Sequence, residues 1–347
     1  MPEIRIRKLA RDEAAAWPEA LESSATFTAL DPWSSLVQQT YGYEIHRFEV
    51  IQNDEVKGIL ALTHVRHPIF GNYLTTSPFG SYGGFAYLSV EARDALLEEA
   101  QLLAHELGVE YAVFRFLDDG RTPPAPWQQH PIYSTYLLDL PGRVEELLDS
   151  LGSQYRNHIR KSLKKGFSIK FGHLELLDDA YEGLARSMHE LGSPYHSPQY
   201  LRRMAKLLGS ALEFAVVRGS QGELVGAGVF ISHGNVVTNL HANILRQFRP
   251  DYAGDFLYWS VIKHYSEKGF STFDMGRSLM GSGNEIFKLK WKSHKKLLAY
   301  WYVLRPGATL PELNQKNPRF QFAIWLWQRL PDFIVRPLGP FLIKGLA

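Results

Sequence analysis

Glu213-Phe-Ala-Val-Val-Arg218, Leu224-Val-Gly-Ala-Gly-Val-Phe-Ile-Ser232 and Val236-Val-Thr-Asn-Leu-His-Ala-Asn243 are three apolar runs rich in β-branched residues. The first two are joined through Gly219-Ser-Gln-Gly222, and such runs punctuated by glycine turns read as an antiparallel meander. Asp255 to Lys268 then reads as a helix closed by Gly269, and Thr272 to Met275 as one more strand. A meander followed by a helix and a strand predicts a mixed α/β fold in which the last strand crosses over to join the sheet.

Upstream, Ser168 to Phe171 reads as the first strand of this unit, with helices near Asp178–Leu191 and Pro198–Leu208. The first half of the chain repeats the outline. A strand Ile4–Leu9 and a helix near Asp12–Leu21 lead to the runs Glu44–Ile51 and Val56–His64, separated by the hairpin pair Asn53-Asp54. A helix Val90–Leu107 and strands Tyr111–Phe116 and Ile132–Leu140 follow. With 347 residues, more than one core usually organises, the chain divides into residues 1–141, 142–312 and a C-terminal aromatic tail 313–347.

Apolar residues make up 45% of the chain and charged residues 21%, as in folded globular proteins. The 38 Lys and Arg against 36 Asp and Glu leave a formal charge of +2, too small for general nucleic-acid binding. The absence of cysteine excludes disulfides, thiolate metal sites and a cysteine nucleophile. The start of the sequence alternates like a strand and lacks a signal-peptide core, and no apolar stretch reaches the ~20 residues of a membrane span. A cytoplasmic protein is expected. Among the 13 histidines there is no His-Glu-x-x-His pattern; His64, His67 and His294 read as surface or packing residues, and no metal is expected.

Two segments carry candidate chemistry. Tyr155-Arg-Asn-His-Ile-Arg-Lys-Ser-Leu-Lys-Lys-Gly166 ends a long helical stretch that begins at Pro141. Arg156, Arg160 and Lys164 share one face at i, i+4, i+8, with Ile159 and Leu163 on the packing side. Such a stripe suits phosphate, which guanidinium binds bidentately, and equally a solvated basic face offsetting the helix dipole. The second segment is Phe273-Asp-Met-Gly-Arg-Ser-Leu-Met-Gly-Ser-Gly-Asn-Glu-Ile-Phe-Lys-Leu-Lys-Trp291. There a strand gives way to a loop with glycines Gly276, Gly281 and Gly283 and nearby cations Arg277, Lys288 and Lys290. That combination permits close approach of a ligand, or simply a flexible turn.

These residues resemble the FemAB family, and the resemblance spans most of the chain. Arg156-Asn-His-Ile-Arg-Lys-Ser-Leu-Lys-Lys-Gly is similar to the family's basic helix. Asp255-Phe-Leu-Tyr-Trp, Phe273-Asp-Met-Gly-Arg-Ser and Phe287-Lys-Leu-Lys-Trp291 resemble its second-domain signature. Leu313-Asn-Gln-Lys-Asn-Pro318, Trp327-Gln-Arg-Leu-Pro331 and Leu338-Gly-Pro340 look like the branch associated with exosortase/PEP-CTERM systems.

The resemblance implies two tandem GNAT-like domains and an N-acyltransferase that passes an acyl or aminoacyl group to an amine of an envelope precursor, related to peptidoglycan or exopolysaccharide. No bound cofactor is implied; the donor is aminoacyl-tRNA or acyl-CoA. The coiled-coil arm of some tRNA-using relatives is absent, since Gly166 leads straight into a strand. An acyl-CoA-dependent acetyltransferase and a non-catalytic protein that holds a polysaccharide or lipid-linked precursor are the competing functions; the former lacks the usual pyrophosphate-loop motif.

By its match to the family's Phe-Lys pair, Lys288 is assigned to the donor or the developing oxyanion, with Phe287 shaping the site. Asp274 is assigned to the substrate amine, and Arg156 and Arg160 to phosphate. Tyr82, in the loop Gly80–Gly84, falls to the acceptor. Tyr252 and Asp255 start a helix that lines the cleft, Asp255 alternatively being its N-cap, and Arg277 contributes substrate contacts. The tail Phe320-Gln-Phe-Ala-Ile-Trp-Leu-Trp-Gln-Arg-Leu330, with Arg336 and Lys344 beyond, suits either packing or peripheral contact with the inner membrane face.

Overall fold

A computed structural model describes residues 4–11, 13–15, 17–311 and 318–347, with no side-chain description for 318–320. The Leu313–Asn317 part of the tail motif lies outside the described residues. The chain forms two compact units, Met1–Tyr133 with Leu297–Pro311 and Lys344–Ala347, and Ser134–Lys296 with Glu312–Ile343.

In the first unit, β1 (Ile4–Lys8), β2 (Glu44–Gln52), β3 (Glu55–His67) and β4 (Gly71–Thr75) form an antiparallel run. Asn53 and Asp54 turn the β2–β3 hairpin, both with positive φ as a two-residue primed turn requires. The short β5 (Phe85–Tyr87) pairs with β3, while β6 (Tyr111–Leu117) lies parallel to β4. The far side of β6 is taken by residues 298–304 of the late strand His294–Leu304, to which β7 (Gln128–Gln129) also pairs.

Helix α1 (Glu19–Ser24) is shorter and later than the Asp12–Leu21 expectation. Pro18 fits just outside the first turn and sets the start there. After α2 (Asp31–Tyr41), the long α3 (Val90–Glu106) buries Leu96, Leu97, Ala100 and Leu103 against Phe48, Leu60 and Leu62.

In the second unit, β8 (Tyr133–Asp139) precedes α4 (Val144–Ser150) and α5 (Ser153–Ser162). The single helix expected from Pro141 to Gly166 is two, because Leu151 and Gly152 are extended and break it. Leu163 is 49% exposed and does not pack; Tyr155, Ile159 and Ser162 anchor α5.

Strands β9 (Ser168–Gly172), β10 (Leu212–Arg218), β11 (Leu224–His233) and β12 (Val236–Ile244) form the expected antiparallel meander. The crossover helix α8 follows below. β13 (Thr272–Asp274) then runs parallel to β12 and antiparallel to β8. Ala215, Val217, Val225 and Phe230 face one core, to which α4 and α5 contribute Leu147, Tyr155 and Ile159. Alternation turns Phe214, Val216 and Val229 to the other face. There α6 (Leu177–Leu191) comes close enough at Gly183 to meet Ala227, and α7 (Pro198–Leu208) follows α6.

Helix α8 (Ala253–Glu267), β14 (Ser278–Leu279), α9 (Gly283–Leu289), β15 (the late strand His294–Leu304), α10 (Pro318–Trp327) and α11 (Asp332–Lys344) complete the chain. The division differs from 1–141, 142–312 and 313–347 because strands are exchanged. β8 belongs with β13, most of β15 belongs with β6, and α10 with nearly all of α11 belongs to the second unit.

Candidate active site

The second unit contains a split in its sheet. β12 pairs with β13 only at Val236, Val237 and Thr238, whereas its pairing with β11 continues to Ile244. Leu240 is the extra residue of a bulge, since Val229 faces His241 and Phe230 faces Asn239. β12 thus runs on past the end of its parallel pairing with β13, and bulges are often found where a sheet is re-aimed at a site.

Beyond β13 the chain is held by Asp274. Its fully buried carboxylate accepts from the Thr135 hydroxyl at 2.6 Å and from the Gly276 N–H at 2.9 Å. Gly276 has φ 76°, and a Cβ there would stand 3.0 Å from the Asn239 carbonyl, so glycine lets the turn lie against β12. The turn's carbonyls point at Lys288. Its Nζ donates to the Gly276 carbonyl at 2.6 Å and the Arg277 carbonyl at 3.0 Å, and sits 5.4 Å from the centre of the Tyr136 ring. Lys288 is 6% exposed. Burial lowers its pKa to about 8, partly opposed by the Asp274 charge and aided by Arg277.

Helix α9, which carries Lys288, starts at a cap that the sequence encodes as Ser282-x-x-Glu285. Ser282 Oγ accepts the Glu285 N–H at 3.3 Å, and the Glu285 carboxylate reaches back to the Gly281 N–H. Its other oxygen takes Lys295 Nζ at 2.6 Å. Lys295 and the Gly281 N–H hold the Glu285 carboxyl below its usual range. Burial and this carboxylate push the Tyr136 phenol upward. Tyr136, Glu285 and Lys295 were not legible as site residues; the capping spacing was the one available signal.

Phe287 is half-buried and meets Tyr258 edge to face at 5.0 Å. Tyr258 in turn stacks on Trp291, accepts from Asn239 Nδ2 at 2.8 Å, and is pushed up to about 12 by burial. Tyr155 closes the aromatic group edge to face on Trp291 at 5.0 Å. Asp255 is not the N-cap of α8: Tyr252, with φ 60°, holds that position. Asp255 lies in the first turn, where burial raises its pKa, opposed by Tyr155, His158 and Lys290. Tyr252 stacks on His158 at 4.5 Å.

A cleft of about 320 Å³ opens between α5 and the end of α9, lined by Gly152, Gln154, Tyr155, His158, Leu289, Lys290 and Lys292. It adjoins both expected segments, but neither Lys288 nor Arg156 lines it. Arg156 donates to the Asp149 carbonyl at 2.9 Å, and Arg160 and Arg277 are exposed. Tyr82 belongs to the first unit, where its carbonyl accepts from the hydroxyls of Thr28 at 3.0 Å and Ser77 at 2.9 Å. A Cβ on its neighbour Gly83 would fall 1.8 Å from Thr26 Oγ1, so this glycine loop is packed tightly in place.

A model of the GNAT acetyltransferase domain matches residues 153–289, which contain the meander, the split, α8, α9 and Lys288. The second unit therefore carries a GNAT-type acetyltransferase domain, the domain of an acyltransferase. No curated protein matches the sequence.

Solved structures agree in fold. FemX matches at 14% identity with a TM-score of 0.62, covering 82% of this chain and 94% of that one. L-PGS from Bacillus licheniformis matches at 14% and 0.54, covering 92% and 100%. A tandem GNAT protein from the clavulanic acid biosynthesis pathway matches at 13% and 0.54, covering 89% and 100%. At these identities the likeness is one of fold: mixed α/β and GNAT-like.

Proposed function

We propose that the protein is an N-acyltransferase that passes an acyl or aminoacyl group directly to an amine of a cell-envelope precursor. The observation that carries this reading is Lys288. It is a buried ammonium held by two carbonyls beside the split in the sheet, on a domain of the acetyltransferase type.

In the proposed reaction the neutral amine of the acceptor attacks the ester or thioester carbonyl of the donor. The carbonyl electron pair moves to oxygen, and Lys288 stabilises the oxyanion there. Collapse re-forms the carbonyl and expels the donor's hydroxyl or thiol, which gains the proton the amine loses. No covalent enzyme intermediate is needed. Phe287 and the Tyr258–Trp291 group exclude water from the reacting carbonyl, and Asp274 fixes the turn that presents the two carbonyls to Lys288. Arg156, Arg160 and Arg277 meet phosphate of the substrates, with Tyr252 and Asp255 near the donor and Tyr82 on the acceptor side.

Of the two donor classes, an aminoacyl ester on tRNA fits better than acyl-CoA. The chain lacks the pyrophosphate-loop motif usual in acyl-CoA-dependent acetyltransferases. The acceptor belongs to peptidoglycan or exopolysaccharide assembly in the exosortase-associated manner, and the protein works at the inner face of the membrane.

Support for membrane contact comes from α10 and α11, where Phe322 is 66% and Phe333 77% exposed and Trp325 stacks under Arg329 at 4.1 Å. Such aromatic and cationic surfaces favour the bilayer interface. Among the described residues no helix is long and apolar enough to cross a membrane.

The test is transfer by the purified protein to a nucleotide-linked or lipid-linked muropeptide amine, with aminoacyl-tRNA and acyl-CoA offered separately. Product from aminoacyl-tRNA supports the reading; no transfer from either donor to any envelope amine, by protein that binds both, would return it to a binding protein.

A further inference from the structure

The pairing of the first unit assembles a ligand set that sequence spacing did not reveal. Glu44 and His64 are direct cross-strand partners in the β2–β3 hairpin, and His46, two residues beyond Glu44, shares its face. Glu44 Oε1 lies 3.7 Å from His46 Nε2, and Oε2 lies 4.0 Å from His64 Nδ1. The three ligand atoms fall within 4.8 Å of one another. A tetrahedral centre with bonds of about 2.0–2.1 Å spaces its ligands about 3.4 Å apart, so a small contraction of side chains completes the geometry.

A second observation points the same way. His46 is 6% exposed, yet its Nε2 is buried without a hydrogen-bond partner among the described residues. A buried polar atom in that condition calls for an explanation, and an ion is one. His64, 3% exposed, has Nε2 at 2.7 Å from Asn72 Oδ1, its shortest polar contact. A proton on Nε2 donated to that oxygen leaves the Nδ1 lone pair facing Glu44, the outer-partner arrangement that orients metal-bound histidines. Arg66 meets the ring edge at both nitrogens, with Nε 3.3 Å from Nε2 and a terminal nitrogen 3.4 Å from Nδ1, so a metal bound at Nδ1 displaces the latter contact. Its charge disfavours cations held by electrostatics alone and leaves the advantage to those that bond imidazole well.

We propose that Glu44, His46 and His64 form a binding site for a divalent transition metal of the zinc class. Two imidazoles and one carboxylate suit that class and not Mg²⁺ or Ca²⁺, which need several oxygen ligands. Glu44 is 60% exposed, so the fourth position opens to solvent. The site lies in the first unit and does not depend on the assignment of Lys288.

The probe is Co²⁺, titrated into the full-length protein after chelator treatment and followed by visible absorption, with Zn²⁺ as competitor. One equivalent should give the intense bands of tetrahedral Co²⁺, and Zn²⁺ should bleach them and raise the melting temperature. Loss of an outer partner alone costs metal sites about 10–100-fold in affinity. Glu44→Gln, at an exposed position, should therefore weaken binding at least tenfold, as should His46→Gln, and Asn72→Leu about tenfold. His173→Gln, on the surface of the second unit, should leave it unchanged. Absence of the bands at one equivalent, or binding that survives Glu44→Gln, would overturn the proposal.

Discussion

Lys288 Nζ and the Gly276 carbonyl are 2.6 Å apart, and this contact joins helix α9 to the turn that follows β13. The ammonium is thus fixed before any substrate arrives, by main chain that Asp274 also holds. Preorganised charge of this kind costs little reorganisation when an oxyanion develops.

The same burial makes stability and turnover respond to pH in opposite directions. Lys288 is lowered to about 8 in the folded protein, against about 10.4 in an unfolded chain. Between those values the unfolded chain binds more protons, so the Lys288 contribution to stability rises with pH through that window. Under the proposed role of Lys288 turnover needs the ammonium, and it should fall as pH passes about 8. Parallel urea titrations and pH–rate profiles of wild type and Lys288→Met check this, the variant losing the stability rise assigned to the group.

Glu285→Ala removes the acceptor for Lys295 and for the Gly281 N–H and loosens the start of α9. The expected loss is about 1–3 kcal/mol, as for charge-assisted hydrogen bonds, measured by chemical denaturation. Because the Glu285 carboxyl is held below its usual range, this stabilisation is present above its unfolded pKa and is lost as pH falls through the folded value.

Arg156→Ala with Arg160→Ala alters a partly exposed and an exposed side chain of α5, so the melting temperature should change little. Affinity for a phosphate-bearing substrate should fall about tenfold or more, since each charge-assisted hydrogen bond contributes roughly 1.5–3 kcal/mol. Unchanged affinity in a calorimetric titration would leave the two arginines as a solvated face.

Phe322→Ser combined with Phe333→Ser removes the two most exposed aromatics among the described side chains of α10 and α11. Co-sedimentation with vesicles rich in anionic phospholipid should drop several-fold while transfer to a water-soluble acceptor is retained. Equal sedimentation of variant and wild type would contradict membrane contact through these helices.

The second-unit fold was legible because its strands are local: Glu213–Arg218 and Leu224–Ser232 alternate around a glycine turn, and α8 ends at Gly269. Asn53-Asp54 announced the β2–β3 hairpin for the same reason. The break at Leu151-Gly152 was hidden, since Leu151 continues the apolar period of α4 and nothing nearby demands a stop. The destination of residues 298–304 was hidden as well, because their partner β6 lies far back in the chain and pairing energy decides it. Lys288 was reached through the Phe-Lys pair. Its partners are the main-chain carbonyls of Gly276 and Arg277, which no side-chain pattern records. His64 joins Glu44 and His46 only through cross-strand register.

The most direct measurement is steady-state transfer by Lys288→Met, made beside thermal unfolding on the same preparations. Methionine keeps most of the stem and removes the ammonium. If Lys288 stabilises charge that develops only in the transition state, turnover of the folded protein should fall on the order of 10²-fold or more with substrate affinity nearly unchanged, while loss of its bonds to the Gly276 and Arg277 carbonyls lowers the melting temperature. A stable Lys288→Met protein that transfers at the wild-type rate would contradict the account.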